Sequence, residues 1–301
     1  MAAYESFREG SGRFVPGSAL LEKLYEGTKW AEGPVCFGDL ELLLWSDIPN
    51  DRMLRWTPDG SVTIFRQPAN NSNGNTRDRS GRLVTCEHGS RSVVRTEADG
   101  TRTVLASHYE GKRLNSPNDV VVKSDGSIWF TDPTYGIVTD YEGNRAESEI
   151  GACHVYRLDP DGGALTVVAD DFVMPNGIAF SPDESVLYVS DTGRTERADG
   201  PAHIRSFAVK GDSLSGGSVF ADVGEWGLAD GFRVDTEGNV WTSAGPGVNC
   251  YLPDGGLVLR IPVPEAVANL TFGGPKRNRL FITAHTSLYS IYTGKTGVQR
   301  P

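Results

Sequence analysis

Six segments of this 301-residue chain resemble one another, and each contains a polar residue just before a short, largely apolar strand pattern. In register the segments read AEGPVCF, SNGNTRD, SPNDVVV, MPNGIAF, LADGFRV and VANLTFG. The aligned polar residues are Glu32, Asn73, Asn118, Asn176, Asp230 and Asn269. Self-similarity at a roughly constant spacing is typical of propellers and solenoids, in which each unit packs on its neighbours. The repeat therefore restricts the fold to an array of similar units.

Each unit contains several strand patterns joined by tight turns. Hairpin signals such as Asp59-Gly60 and Asp99-Gly100 separate alternating apolar and polar runs. Antiparallel four-stranded units repeated in this way are the blades of a β-propeller. We predict an all-β, six-bladed β-propeller with blades near residues 30–66, 73–107, 118–170, 176–221, 230–262 and 269–293.

The last blade has only three evident strand patterns, NLTFG, RLFITAH and SLYSIYT. The segment LLEKLYEG, near the N-terminus, is the expected fourth strand. Pairing it with the last blade joins the two ends of the chain and removes an exposed sheet edge. We therefore expect residues 1–301 to form one propeller domain, with residues 1–19 as an N-terminal extension.

Net charge and cysteine usage exclude several classes of function. The formal net charge is -10 and the pI about 5.0, whereas binding to nucleic acid or to an anionic membrane needs clustered Lys and Arg. The four cysteines lie far apart, without a CxxC pair, so we expect no disulfide framework and a reducing compartment. The first residues contain no apolar leader pattern, so a cytoplasmic location is expected, or a periplasmic one if a leader has been removed. No pattern specifies an oligomeric state.

The predicted propeller gathers the aligned polar residues at one face, because the first strand of each blade lines the central channel. The second strands run back to the same face, where their patterns end at Asp47, His88, Asp132, Asp191 and His285. Carboxylate and amide oxygens at one point suit a hard divalent cation. We expect Glu32, Asn176 and Asp230 to be cation ligands, with Asn118 either a fourth ligand or a donor to a bound molecule. Ca²⁺ is the expected ion, and Zn²⁺, Mn²⁺ and Mg²⁺ are the alternatives.

Each polar residue also has a structural interpretation. Asn and Asp before a strand often cap turns through their own backbone, and we favour that role for Asn73 and Asn269. Asp132 and Asp191 either cap their loops or orient the ligand residues. His88 is a candidate for substrate contact or proton transfer. The tryptophans Trp30, Trp45, Trp56, Trp129 and Trp241 are expected to pack in the core and between blades.

Other catalytic signatures are absent from the sequence. There is no GxSxG elbow, no GxxxxGK[ST] phosphate loop, no HExxH and no GxGxxG. Metal-assisted chemistry is therefore the strongest enzymatic interpretation.

Five segments carry a resemblance to a known family. They are EGP at 32–34, SPNDVVV at 116–122, FTDPTYG at 130–136, MPNGIAFSPD at 174–183 and ADGFRVDTEGNVW at 229–241. Together they resemble the SMP-30/gluconolactonase family of six-bladed propellers, which hydrolyse sugar lactones, and TCEHG and SPNDVVV look like its microbial gluconolactonases. The resemblance spans about residues 30–293.

The resemblance implies roles for particular residues. It implies a divalent cation held by Glu32, Asn176 and Asp230, with Asn118 beside it at the substrate and Asp230 as the catalytic carboxylate. Some animal members have an arginine two positions before the residue matching Asn118, where this chain has Ser116. Arg113 is then the candidate to replace that substrate contact.

The expected activity is metal-dependent hydrolysis of a sugar lactone, glucono-1,5-lactone above all, to its aldonic acid. In this interpretation the metal polarises the carbonyl and Asp230 activates water. Two alternatives stay open. One is hydrolysis of another lactone or ester, such as xylonolactone or an aryl ester, and the other is a non-catalytic calcium-binding propeller.

Overall fold

Six antiparallel sheets lie in a ring in the computed structural model, which describes residues 3–298. The innermost strands of neighbouring sheets contact one another in cyclic order, and the last contacts the first. The ring is therefore closed, and the prediction of a six-bladed β-propeller is confirmed.

The strands follow the chain blade by blade. Two strands precede the first blade: β1 (Glu5–Ser6) and β2 (Glu22–Glu26). Blades one and two contain β3 (Ala31–Phe37), β4 (Leu42–Asp47), β5 (Arg52–Trp56), β6 (Val62–Arg66), β7 (Ser72–Arg77), β8 (Leu83–Glu87), β9 (Ser92–Thr96) and β10 (Arg102–Ala106). A small hairpin follows, of β11 (His108–Tyr109) and β12 (Lys112–Arg113).

Blades three to six complete the ring. Blades three and four contain β13 (Val120–Val122), β14 (Ile128–Asp132), β15 (Cys153–Leu158), β16 (Leu165–Phe172), β17 (Pro175–Phe180), β18 (Val186–Asp191), β19 (His203–Lys210) and β20 (Ser213–Asp222). Blades five and six contain β21 (Phe232–Val234), β22 (Val240–Ser243), β23 (Gly247–Tyr251), β24 (Leu257–Pro262), β25 (Val267–Gly273), β26 (Arg279–Ala284) and β27 (Ser287–Tyr292).

The N-terminal segment completes the last blade. Strand β2 pairs antiparallel with β27, with Glu22 opposite Ser290, so blade six has the order β2-β27-β26-β25. This confirms the predicted closure by the LLEKLYEG segment. Strand β1 pairs with β24, so part of the first 19 residues adds a fifth strand to blade five. The N-terminal segment thereby covers the outer edge strands of blades five and six.

Apolar side chains fill the spaces between neighbouring blades. In the described residues they form six clusters, and each cluster joins two adjacent blades. Trp45 and Trp56 lie between blades six and one, Trp129 between three and four, and Trp241 between five and six. These positions confirm the packing predicted for four of the tryptophans. Trp30 differs, because its side chain is only half-buried.

The segment between β14 and β15, residues 133–152, is the part of blade three that bears on the site described below. It contains the helix α1 (Tyr135–Val138). The other helical elements among the described residues are 3₁₀ turns at Ser11–Arg13, Ile48–Asn50, Pro160–Gly162 and Gly193–Thr195. All four cysteines are free, as expected.

Candidate active site

The polar residues predicted from the repeat form a ring at one end of the propeller axis. We call the residue at this position of each blade its entrance residue. In blades two and four the N–H that follows the entrance residue donates to the carbonyl of the next blade's entrance residue, from Gly74 to Asn118 (2.8 Å) and from Gly177 to Asp230 (3.0 Å). Strand pairing shifts register beside the entrance position in blades one, two and four. Such bulges turn side chains out of the regular strand alternation.

The entrance residue of blade six is Ala268, so the register predicted for Asn269 was wrong by one residue. The N–H of Gly231 donates to the carbonyl of Ala268 at 2.8 Å, as the corresponding N–H groups do in blades two and four. Asn269 occupies the following position, whose counterpart in blade three is Asp119. The side-chain oxygen of each accepts the N–H of its next residue, at 2.8 Å and 2.9 Å. In either register a polar residue precedes an apolar run, so the sequence alone does not distinguish the two registers. The hydrogen bond between blades five and six does distinguish them.

Glycines after the entrance residues allow the blades to approach closely. A Cβ on Gly74 would lie 2.4 Å from the carbonyl oxygen of Asn118, and one on Gly231 would lie 2.0 Å from Cγ of Asn269. Neither contact is tolerable. The Asn-Gly and Asp-Gly pairs of the repeat are thus required by the packing of the ring.

The ring borders a cavity of about 380 Å³. The entrance residues that line it are Glu32, Asn73, Asn118, Asn176 and Asp230. The other polar side chains in its lining are Tyr135, Glu142, Thr192 and Thr195, and the large apolar ones are Trp30, Ile48, Leu228 and Val267. The structure therefore brings all four predicted cation ligands to one cavity.

Glu32 and Asp230 are neighbouring carboxyls, the first buried and the second half-buried and open to the cavity. Burial raises the pKa of Glu32 well above its usual range, and the charge of Asp230 raises it further. Burial also raises the pKa of Asp230 to about 8, with added contributions from the charges of Glu142 and Asp119. Both carboxylates are therefore costly to ionise unless a positive charge lies beside them.

Hydrogen bonds within a blade and between adjacent blades hold the asparagines of the ring in place. The Nδ2 group of Asn176 donates to Oγ1 of Thr192 at 3.3 Å, and the amide of Asn176 lowers the pKa of Asp230. The hydroxyl of Thr131 donates to the carbonyl of Asn176 at 2.7 Å, while its own carbonyl accepts the N–H of Asn118 at 2.9 Å. Thr131 thus connects the entrance residues of blades three and four.

Asp132 and Asp191 lie behind the ring and hold the backbone that leads to it. Oδ2 of Asp132 accepts the N–H of Asn115 at 2.8 Å, three residues before Asn118. Asp191 accepts the N–H groups of the two residues before β17, at 3.0 Å and 2.9 Å, and so holds the chain ahead of Asn176. Burial raises the pKa of Asp132 to about 7. Both acids therefore cap loops and orient entrance residues through the backbone.

Two residues predicted to contact substrate do not line the cavity. His88 is fully buried, and its ring lies between the side chain of Asn73 (3.2 Å) and the carbonyl of Glu142 (3.0 Å). Arg113 lies on β12, where its guanidinium donates to the carbonyl of Ser90 at 3.1 Å. The structure therefore gives neither residue a direct contact with the cavity.

Trp30, Tyr135 and Glu142 are among the lining residues that were not identified from the sequence as site residues. Trp30 was expected in the core, yet it borders the cavity and packs on the ring of His285, with centroids 5.4 Å apart. Tyr135 hydrogen-bonds through its hydroxyl to Thr192 at 2.7 Å. Burial raises the pKa of Glu142 to about 7. Tyr135 and Glu142 come from the 133–152 segment, and the one available signal was its length between two strands of one blade.

The residues present fit a divalent cation. No Lys or Arg is among the residues that line the cavity, although Glu32, Asp230 and Glu142 all border it. Within residues 3–298 no group of three or more His, Cys, Asp and Glu side chains is placed to hold a metal ion. The available donors are two carboxylates with amide oxygens, which suit Ca²⁺ better than a soft metal. This donor set requires Asn176 or Asn118 in addition to the acids.

A second cavity, of about 350 Å³, lies at the opposite end of the axis among the turns between first and second strands. The arginines that line it are already paired with acids. Arg79 contacts Glu184 at 3.2 Å, and Arg233 contacts Asp119 at 3.5 Å. The carboxyl-rich cavity is therefore the stronger candidate for chemistry.

The fold and this cavity define a class of protein: closed six-bladed propellers with an acidic, amide-lined site on the axis. The family model described as the SMP-30/Gluconolactonase/LRE-like region matches residues 30–286. The chain belongs to this family, as its sequence motifs predicted.

Relatives with described activities cover most of the chain. A gluconolactonase of Zymomonas mobilis is 33% identical, over 93% of this chain and 83% of the relative. A pentonolactonase of Haloferax volcanii is 30% identical, over 84% of this chain and 80% of the relative. The structure of a gluconolactonase from Xanthomonas campestris superposes with a TM-score of 0.90 at 41% identity, covering 96% of this chain and 94% of that one.

A more distant structure shares the fold alone. The calcium-binding protein regucalcin from Agrobacterium tumefaciens has a TM-score of 0.74 at 21% identity, over 92% of this chain and 94% of that chain. The nearer relatives establish the predicted activity class: the protein is a lactonase, a carboxylic ester hydrolase that acts on sugar lactones. In the part of the chain that the structure describes, no helix has the length and apolar character needed to cross a membrane.

Proposed function

We propose that this lactonase hydrolyses glucono-1,5-lactone to gluconic acid and depends on a divalent cation, Ca²⁺ in the first place. The proposal rests on one observation: the neighbouring carboxyls of Glu32 and Asp230 lie in one cavity. The same cavity is lined by three amide side chains, those of Asn73, Asn118 and Asn176. The likeness to gluconolactonases supports the choice of lactone.

Glu32, Asn176 and Asp230 would hold the cation, with Asn118 as a fourth ligand or as a donor to the substrate. A cation bound there would polarise the lactone carbonyl and favour the ionised forms of both acids. Negative charge from Glu32 and Asp230 supplies the attraction for it, and Asn269 supports Glu32 by donating to Oε2 at 3.1 Å.

Asp230 is the proposed base for the attacking water. Its carboxylate takes one proton from water as the water oxygen bonds to the carbonyl carbon, and the ring C–O bond then breaks. The proton returns from Asp230 to the departing ring oxygen, which becomes a hydroxyl of the open-chain acid. The amide of Asn176 lowers the pKa of Asp230 and so favours the carboxylate form that takes the proton. Asp230 therefore ends the cycle as the carboxylate with which it began.

Hydrolysis of glucono-1,5-lactone is the experiment that tests the substrate assignment. We expect its kcat/KM to exceed the values for xylonolactone, arabinonolactone and an aryl ester by tenfold or more. A higher value for a pentonolactone would shift the assignment toward the activity named for the Haloferax relative. Calcium binding without hydrolysis of any member of the panel would instead favour the non-catalytic propeller.

Replacing Glu142 should move the pH dependence of turnover. The charge of Glu142 raises the pKa of Asp230, so Glu142→Gln lowers that pKa and lets the carboxylate persist at lower pH. We expect the acid limb of the kcat profile to move to lower pH. The matched control is Glu147→Gln, an exposed residue of the same segment. An unchanged acid limb in Glu142→Gln would show that Asp230 does not control it.

A further inference from the structure

His88 and Asn73 form a buried hydrogen-bonded pair that the reaction described above does not use. Nδ1 of His88 lies 3.0 Å from the carbonyl oxygen of Glu142, and Nε2 lies 3.2 Å from Nδ2 of Asn73. Both side chains are buried, at 0% and 4% exposure. The pair connects the end of β8 to the entrance residue of blade two and to the 133–152 segment.

The donors and acceptors in this pair can be assigned in only one way. A backbone carbonyl only accepts, so Nδ1 of His88 carries the proton and donates to Glu142. Burial lowers the pKa of His88 to about 4, so the ring is neutral and Nε2 accepts. Of the two ends of the Asn73 amide, only Nδ2 can donate to it. The amide oxygen of Asn73 must therefore point away from His88.

The backbone of Asn73 is also held in place. Its carbonyl accepts the hydroxyl of Ser46 at 2.7 Å and Nδ2 of Asn75 at 2.8 Å. Asn73 lines the cavity, and among residues 3–298 its Oδ1 has no hydrogen-bond partner. Oδ1 of Asn73 is therefore an unused hydrogen-bond acceptor, held in a fixed direction, on a residue that lines the cavity.

The position in the ring indicates what this acceptor meets. The proposed cation ligands Glu32, Asn176 and Asp230 come from blades one, four and five, which together with blade six form one continuous arc of the ring. Blades two and three form the remaining arc and contribute the amides of Asn73 and Asn118. A lactone whose carbonyl faces the cation would extend its ring hydroxyls toward that remaining arc.

We propose that Asn73 is a specificity residue, whose Oδ1 accepts a hydrogen bond from a ring hydroxyl of the bound lactone, and that His88 is the positioning residue that keeps this oxygen turned to the cavity. The inference rests on the proposed sugar-lactone substrate. It replaces direct substrate contact by His88 with an effect through Asn73, and it assigns Asn73 more than a turn-capping role.

The test compares glucono-1,5-lactone with δ-valerolactone, a six-membered lactone without ring hydroxyls. Asn73→Ala should lower kcat/KM for the hydroxylated lactone about tenfold, mainly through KM, and change that for δ-valerolactone less than twofold. His88→Phe should change the ratio of the two kcat/KM values in the same direction. In the double variant the ratio should fall no further than in Asn73→Ala alone, because His88 acts on selectivity through Asn73. His108→Phe, on the β11–β12 hairpin, is the matched control and should leave the ratio unchanged.

The outcomes separate this inference from the proposed function. A wild-type protein that hydrolyses the hydroxylated lactone, combined with an unchanged ratio in Asn73→Ala, would overturn the inference alone. A wild-type protein with no activity on hydroxylated lactones would overturn both. If His88→Phe fails to fold, as judged by its thermal melt, the ratio measured for Asn73→Ala still decides the question.

Discussion

Asp230→Asn should lower kcat for glucono-1,5-lactone by about 10²–10⁴-fold, because an amide cannot take a proton from water. The fold should survive, since Asn has nearly the same shape and removes a half-buried carboxyl whose pKa is already raised to about 8. Steady-state kinetics and a thermal melt followed by circular dichroism measure the two effects. In the calcium-free protein we expect an unchanged or slightly higher Tm.

The matched control is Asp254→Asn, an exposed acid in the turn between β23 and β24, which should keep full activity. A kcat within about threefold of the wild type in Asp230→Asn would remove this residue from the mechanism. Loss of both activity and the folded state would instead assign Asp230 to stability.

Removal of divalent cations should abolish turnover, and Ca²⁺ should restore it. The carboxyls of Glu32 and Asp230 are neighbours and no Lys or Arg lines the cavity, so a bound cation would offset their repulsion and serve the proposed reaction. A chelator-treated sample should lose at least about 99% of its activity, and Ca²⁺, Zn²⁺, Mn²⁺ and Mg²⁺ added back singly identify the preferred ion.

Stability provides a second measure of cation binding. An ion that binds only the folded state at 100 times its Kd stabilises it by about 2.7 kcal/mol, so Ca²⁺ should raise the Tm of the wild type. Glu32→Gln should lose most of that rise, whereas Glu9→Gln, an exposed residue near the N-terminus, should keep it. Full activity after exhaustive chelation would contradict cation dependence.

The fold could be predicted from the sequence because the repeat, the turns and the strand patterns all indicate the same architecture. Blade six has only three strand patterns of its own, which predicted that the N-terminal segment supplies the fourth strand. Strand β2 occupies that place, paired with β27. Strand β1 was not predicted, since two residues pairing with β24 leave no periodic pattern.

The site residues that belong to the repeat could be predicted from the sequence, and those outside the repeat could not. Glu32, Asn118, Asn176 and Asp230 occur at matching positions, so their convergence followed from ring closure. Glu142 lies in an irregular segment that has no counterpart in the repeat, so only the three-dimensional path of the chain brings it to the cavity.

The position of Asn269 and the role of His88 depend on contacts that no pattern along the chain reports. Asn269 lies one residue beyond the entrance position of blade six. Hydrogen bonds between blades show which residue occupies that position. His88 was assigned to substrate because it ends a strand at the correct face. Its burial behind Asn73 becomes visible only when blade two and the 133–152 segment are placed together.

A crystal structure of the active, calcium-loaded protein is the decisive measurement. We predict one ion bound directly by the side-chain oxygens of Glu32, Asn176 and Asp230, in the cavity lined by Asn73 and Asn118. An active enzyme whose ion lies at another place, with these three side chains making no contact to it, would contradict the proposed site.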